Sequence, residues 1–97
     1  GGKIMYQENF IGKIIFFHES SISTCYIAFV DDSNQKVHIG YLEKNKDFSL
    51  YLEKCLNLKF PCEVSSINEE INRFCVTMQN HKLTKIECLS SNMAFYL

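Results

Sequence analysis

Tryptophan is absent from this chain, and proline and arginine occur once each, as Pro61 and Arg73. Glycine is nearly as scarce. Gly1, Gly2, Gly12 and Gly40 are the whole set, so no glycine-rich phosphate loop and no G-x-G-x-x-G turn can be written. No apolar run approaches the ~20 residues that cross a bilayer as a helix. An excess of one charge is missing too: ten basic residues face eleven acidic ones, for a net charge of −1. A dedicated duplex-DNA binder draws most of its affinity from phosphate contacts and carries a clear positive excess. Close Cys/His pairs are also lacking. Cys25, Cys55, Cys62, Cys75 and Cys88 stand far apart, whereas structural zinc wants spacings such as C-x2-C. No Cys/His nucleophile motif occurs. These gaps predict a chain that is not an enzyme, holds no metal and no small-molecule cofactor, and does not enter a membrane.

What remains is 97 residues, 46% apolar and 13% aromatic. That length predicts a single domain over residues 1–97 with a small core. Gly1 and Gly2 come without an initiator Met and read as an added scar, so the domain is expected to be cut from a longer protein. Five cysteines is an odd number, and four lie in apolar stretches. Buried free thiols in a reducing compartment are the expectation, which points to nucleus or cytoplasm.

The order of elements follows from periodicity. Residues 9–17 (NFIGKIIFF) are β-branched and aromatic and predict a strand, with Gly12 marking a bulge or bend. Residues 20–23 (SSIS) predict a turn. Residues 24–30 (TCYIAFV) are apolar on both faces, as in a central strand. Asp31-Asp32-Ser33-Asn34 is turn chemistry. Residues 36–42 (KVHIGYL) alternate, with Val37, Ile39 and Tyr41 on one face. Short turns join these three strands, so an antiparallel meander is expected.

From residue 47 the period changes. Phe48, Tyr51, Leu52, Cys55 and Leu56 fall on one stripe of a helix over 47–58, with Asp47 as its predicted N-cap. Strands are predicted again at 60–67, 71–79 and 83–89, with turns at Asn68-Glu69-Glu70 and Asn80-His81. The apolar tail 93–97 is expected either to cover the core or to continue into a further part of the protein, with one more strand as an option.

The fold class expected is mainly β: a small OB-like antiparallel barrel of order β-β-β-α-β-β, with an optional extra C-terminal strand. The alternative is a β-sandwich head with a helical insert. A family resemblance supports the barrel. Lys36-Val37-His38-Ile39-Gly40-Tyr41-Leu42, the helix ending near Leu58, and Cys62-Glu63-Val64 opening a hairpin resemble the second half of a HIRAN domain over residues 36–79. That family is an OB-like module beside DNA-remodelling and repair helicases, and it holds single-stranded DNA ends in an aromatic-lined pocket. The resemblance implies binding roles for Tyr41 and His38. The first half departs from the family. Ser23-Thr24-Cys25-Tyr26-Ile27-Ala28 stands where the family has an Asn/Asp-rich segment leading into an Asn-Ala pair.

The adjacent carboxylates Asp31-Asp32 and Glu69-Glu70 fall in turns and are expected to be solvated. The lysines, among them Lys44, Lys46, Lys82 and Lys85, are expected to be ordinary surface with the option of a local basic face. Aromatics carry the stronger signal. Phe16, Phe17, Tyr26, Phe29, Tyr41, Tyr51, Phe60 and Phe74 are too many for one face of a small core. Those left outside either anchor a protein partner or stack bases. The candidate binding residues are Tyr26, Tyr41, Phe17, His38, Lys44 and Lys46. The function expected is a non-catalytic protein-interaction or assembly module whose partner is another protein or a second copy. The alternative is a single-strand nucleic-acid-binding domain of a DNA repair or remodelling protein. An uncharged apolar face favours the first, and a face shared with lysines favours the second.

Overall fold

A computed structural model describes residues 5–19 and 22–97. Gly1 and Gly2, and Ser20 and Ser21 of the predicted SSIS turn, lie outside the described residues. The strands are β1 (Gln7–Glu19), β2 (Thr24–Asp31), β3 (Val37–Glu43), β4 (Phe74–Gln79), β5 (Lys82–Cys88) and β6 (Met93–Tyr96). One helix, α1 (Lys46–Leu56), and a 3-10 turn (Val64–Ser66) separate β3 from β4. All six strands belong to one sheet of order β3-β2-β1-β4-β5-β6. A sandwich would divide them between two. Successive neighbours are antiparallel, and β3 also meets β5 in parallel at Tyr41 and Lys82. Among the described residues no helix is long and apolar enough to cross a membrane.

β1 is shared by two partners. Its first half, Gln7 to Gly12, pairs with β4, and its second half, from Gly12 on, pairs with β2. The change of partner falls at Gly12, where a Cβ would come within 2.2 Å of the Val30 carbonyl oxygen. Glycine is needed here for close backbone approach. The bulge itself is three residues on. The β1–β2 register shifts between Ile14 and Phe16. One extra residue reverses the pleat, so Ile14 points in, Phe16 points out and Phe17 points in again.

Three expectations are corrected. Residues 60–67 form no strand. Pro61 has no N–H for a ladder, and Ser66 bonds locally, its N–H and hydroxyl both donating to the Glu63 carbonyl at 3.0 and 2.6 Å. The hairpin expected to open at Cys62-Glu63-Val64 is therefore not formed there. The strand expected from residue 71 begins at Phe74. The helix cap is Asn45, not Asp47: the Asn45 Oδ1 accepts from the Asp47 and Phe48 N–H groups at 2.9 and 3.2 Å. Asp47 sits instead in the first turn, where the helix dipole favours an acid. The tail resolves in favour of the extra strand, β6, which pairs with β5.

The core joins α1 to the inner face of the sheet. Phe48, Leu52, Cys55 and Leu56 of the helix are buried with Ile27, Phe29, Leu42, Phe74, Val76, Leu83 and Ile86. Phe17, Phe60, Tyr51 and Phe95 close over Phe48 and around one another. The Tyr51 hydroxyl donates to the Met93 carbonyl at 2.6 Å and accepts from the Cys88 N–H at 3.0 Å. One helical side chain thus ties β5 and β6 together.

Candidate docking face and buried histidine cluster

Strand alternation sends every second residue of β1, β2 and β3 to the side away from α1. Pairing registers place these residues in four rows. Lys13, Val30 and Val37 form the first; Phe16, Ala28 and Ile39 the second; His18, Tyr26 and Tyr41 the third. Thr24 and Glu43 form the fourth. Ile39 is 62% exposed, Val37 50%, Phe16 49%, Tyr26 46% and Tyr41 41%. Ala28 lies beneath its larger neighbours, buried yet outside the core cluster. Only Lys13 and Glu43 carry formal charge in these rows. The third row continues across the β3–β5 contact to Lys82.

This arrangement divides the six predicted binding residues. Tyr26 and Tyr41 are direct cross-strand partners on the exposed face. Phe17 is not on it. The bulge turns Phe17 inward against Phe48 and Phe60, and its neighbour Phe16 takes the outer position. His38 is also inward, on the opposite side of β3 from Ile39 and Tyr41. Lys44 and Lys46 are exposed, but they follow β3 into the start of α1 rather than joining the rows. Phe16 and Ile39 belong to the face and were not among the predicted residues. For Ile39 the alternation with Tyr41 was the available signal.

The inner end of the sheet, where β1 begins, holds a polar cluster the sequence did not suggest. His38 is sandwiched between two carboxylates. Its Nδ1 contacts Glu8 Oε2, and its Nε2 lies 3.4 Å from Asp31 Oδ2. Glu8, Asp31 and His38 are all buried. The His38 ring stacks on Phe10 with centroids 4.0 Å apart. From the β4–β5 turn, His81 Nδ1 comes 3.5 Å from Glu8 Oε1. In the same turn the His81 carbonyl accepts from the Tyr41 N–H at 2.9 Å. Asn80 and His81 both take positive φ, 51° and 67°, as a tight two-residue hairpin turn requires.

Asp31 departs from the solvated carboxylate expected of it. Its Oδ1 accepts from the Ser33 hydroxyl at 2.7 Å and the Ser33 N–H at 2.9 Å. These bonds, with the nearby His38, hold its carboxyl below the usual aspartate range. A carboxyl so depressed adds stability that is full above its unfolded pKa and is lost as pH falls through the folded value. We expect Asp31→Ala to be less stable than the native chain at neutral pH, by a gap that depends on pH. It should narrow below about pH 4, measured by urea unfolding at a series of pH values. Asp32, its neighbour, is exposed and pairs with Arg73 at 3.2 Å. Glu69 and Glu70 are exposed as expected.

The five cysteines are free: Cys25, Cys55 and Cys88 are buried, Cys75 half-buried and Cys62 exposed. Burial pushes the Cys55 thiol up to about 11, which keeps it protonated and unreactive. Among the described residues no group of three His, Cys, Asp or Glu is placed to hold a metal ion. No protein-family model matches the chain, and neither the curated proteins nor the solved structures contain a significant match to it.

Proposed function

We propose that this chain is a non-catalytic interaction module that docks a protein partner on the outer face of β1, β2 and β3. One observation carries the reading: four register-aligned rows in which aromatic and branched apolar side chains stand exposed and only Lys13 and Glu43 are charged. Exposed aromatics with charge depleted between them mark interface cores. We read the architecture as OB-type. A three-strand meander, a helix, two further strands, a first strand shared between β2 and β4, and a parallel β3–β5 contact support that reading. The free, largely buried thiols support a reducing cellular setting, nucleus or cytoplasm.

Site-specific photo-crosslinking tests the docking reading. A benzophenone amino acid at position 39, in the cells that make this protein, is expected to yield protein adducts that Tyr41→Asp abolishes. The same probe at Lys54, on the exposed side of α1, should yield none. Equal adduct yields at the two positions would overturn the reading.

A second reading rests on one specific contact. Lys82 sits beside Tyr41, in line with Tyr26, on the face with which OB folds bind single strands. Base stacking on such tyrosines contributes ~1–3 kcal/mol each. Under this reading the chain belongs to a DNA repair or remodelling protein, as the HIRAN resemblance implies. Fluorescence anisotropy with short oligonucleotides at low salt should then show binding that weakens with salt and with Lys82→Ala. No binding at tens of micromolar would exclude it.

A further inference from the structure

Resting on the docking reading above, we propose that the occupant of the β1–β2–β3 face is a second copy of this chain, in a two-fold face-to-face pair. Charge placement on the face points to a second copy. Lys13 stands at one corner of the rows, on β1 beside Val30, and Glu43 at the diagonally opposite corner, on β3 beside Thr24. A two-fold axis between two stacked faces, perpendicular to the line joining Lys13 and Glu43, exchanges these corners. Lys13 of each copy then lies over Glu43 of the other. The same axis passes near the centre of the face, between Tyr26 and Ala28, so the large ring of one copy approaches the dip left by the small residue of the other. A self-complementary patch is what an isologous contact demands. A chain with net charge −1 also adds little repulsion to a pair of copies.

Size sets the strength. Three strands ~4.8 Å apart and four rows ~6.8 Å apart cover roughly 390 Å². That is about half the ~800 Å² per partner of a standard interface, so the pair is a transient dimer rather than an obligate one. It should be populated at roughly 100 µM and above, and scarce at about 1 µM.

Sedimentation equilibrium at low salt on the native chain and two charge-reversed variants tests the proposal. Lys13→Glu leaves two acids at each corner of its own dimer, and Glu43→Lys leaves two lysines. Each variant alone is expected to self-associate at least about tenfold more weakly than the native chain. Mixed one to one, they regain both corner pairs and should associate at least as well as the native chain. Dispersed amide spectra of the variants confirm that both are folded. Three results would overturn the proposal: a native chain monomeric at millimolar concentration, variants that associate like the native chain, or a mixture that gains nothing. If the photo-crosslinks at position 39 still go to another protein in that case, the docking reading stands and only the second copy is excluded.

Discussion

Gly12→Ala is expected to cost about 3 kcal/mol or more, at or beyond the top of the usual overpacking range. The cause is the backbone itself. A Cβ at this position would lie 2.2 Å from the Val30 carbonyl oxygen and 3.0 Å from its carbon. Most overpacked sites relax because a side chain turns away. Here the obstacle is a peptide group in β2, held by the β1–β2 ladder on one side and the β2–β3 ladder on the other. Gly12 is also where β1 leaves β4 for β2, so moving the strand to make room disturbs both pairings. Gly40 provides the contrast. A Cβ there meets the Met78 side chain at 2.7 Å, the flexible end of a thioether that can shift. Gly40→Ala should therefore cost clearly less than Gly12→Ala in urea unfolding. Equal costs would contradict the assignment of Gly12 as the close-approach residue.

His38→Ala is the second large effect, at about 3–5 kcal/mol, the range for breaking a buried charged group's pairing. The ring lies between Glu8 on β1 and Asp31 on β2 and faces both carboxylates. Without it, the buried Glu8 carboxylate loses this partner and faces a void against Phe10. His81→Ala removes a contact to the same Glu8 from a side chain that is 62% exposed, so its cost should stay within ~1 kcal/mol. Urea midpoints of the two variants at neutral pH check the contrast. A His38→Ala midpoint no lower than that of His81→Ala would show that the cluster does not hold this end of the sheet.

The parts of the fold legible in the sequence are those with strong local periodicity. Residues 24–30, apolar on both sides, became the strand between β1 and β3. Phe48, Leu52, Cys55 and Leu56 became the buried stripe of α1. The misses have local causes as well. The bulge at residue 15 is a register event between strands, and nothing in NFIGKIIFF fixes which side Phe16 and Phe17 take. The stretch 60–67 alternates weakly, but Pro61 has no N–H to give a ladder, and Ser66 bonds its own turn. His38 is the clearest case. Its alternation partners Gly40 and Leu42 share the inner face with it. A histidine on that face becomes tolerable only because Glu8, thirty residues away, arrives beside it. Pairings between distant segments leave no mark in local sequence. The candidate face was half legible: Tyr26 and Tyr41 follow from alternation, while Phe16 depends on the bulge.

Under the proposed function the apolar rows on β1, β2 and β3 serve docking and not folding. Matched Ile→Thr substitutions on adjacent strands test this, because threonine keeps the β-branched strand preference while exchanging apolar surface for a hydroxyl that is tolerated in water and costly in a core. Ile27 of β2 is fully buried, and Ile39 of β3, opposite Ala28, is 62% exposed. Urea unfolding of dilute chain, about 1 µM, keeps association out of the result. The account predicts that Ile39→Thr changes stability by no more than ~0.5 kcal/mol, and that Ile27→Thr costs several times that. A loss for Ile39→Thr as large as that for Ile27→Thr would place the outer face in the folding core and contradict the account.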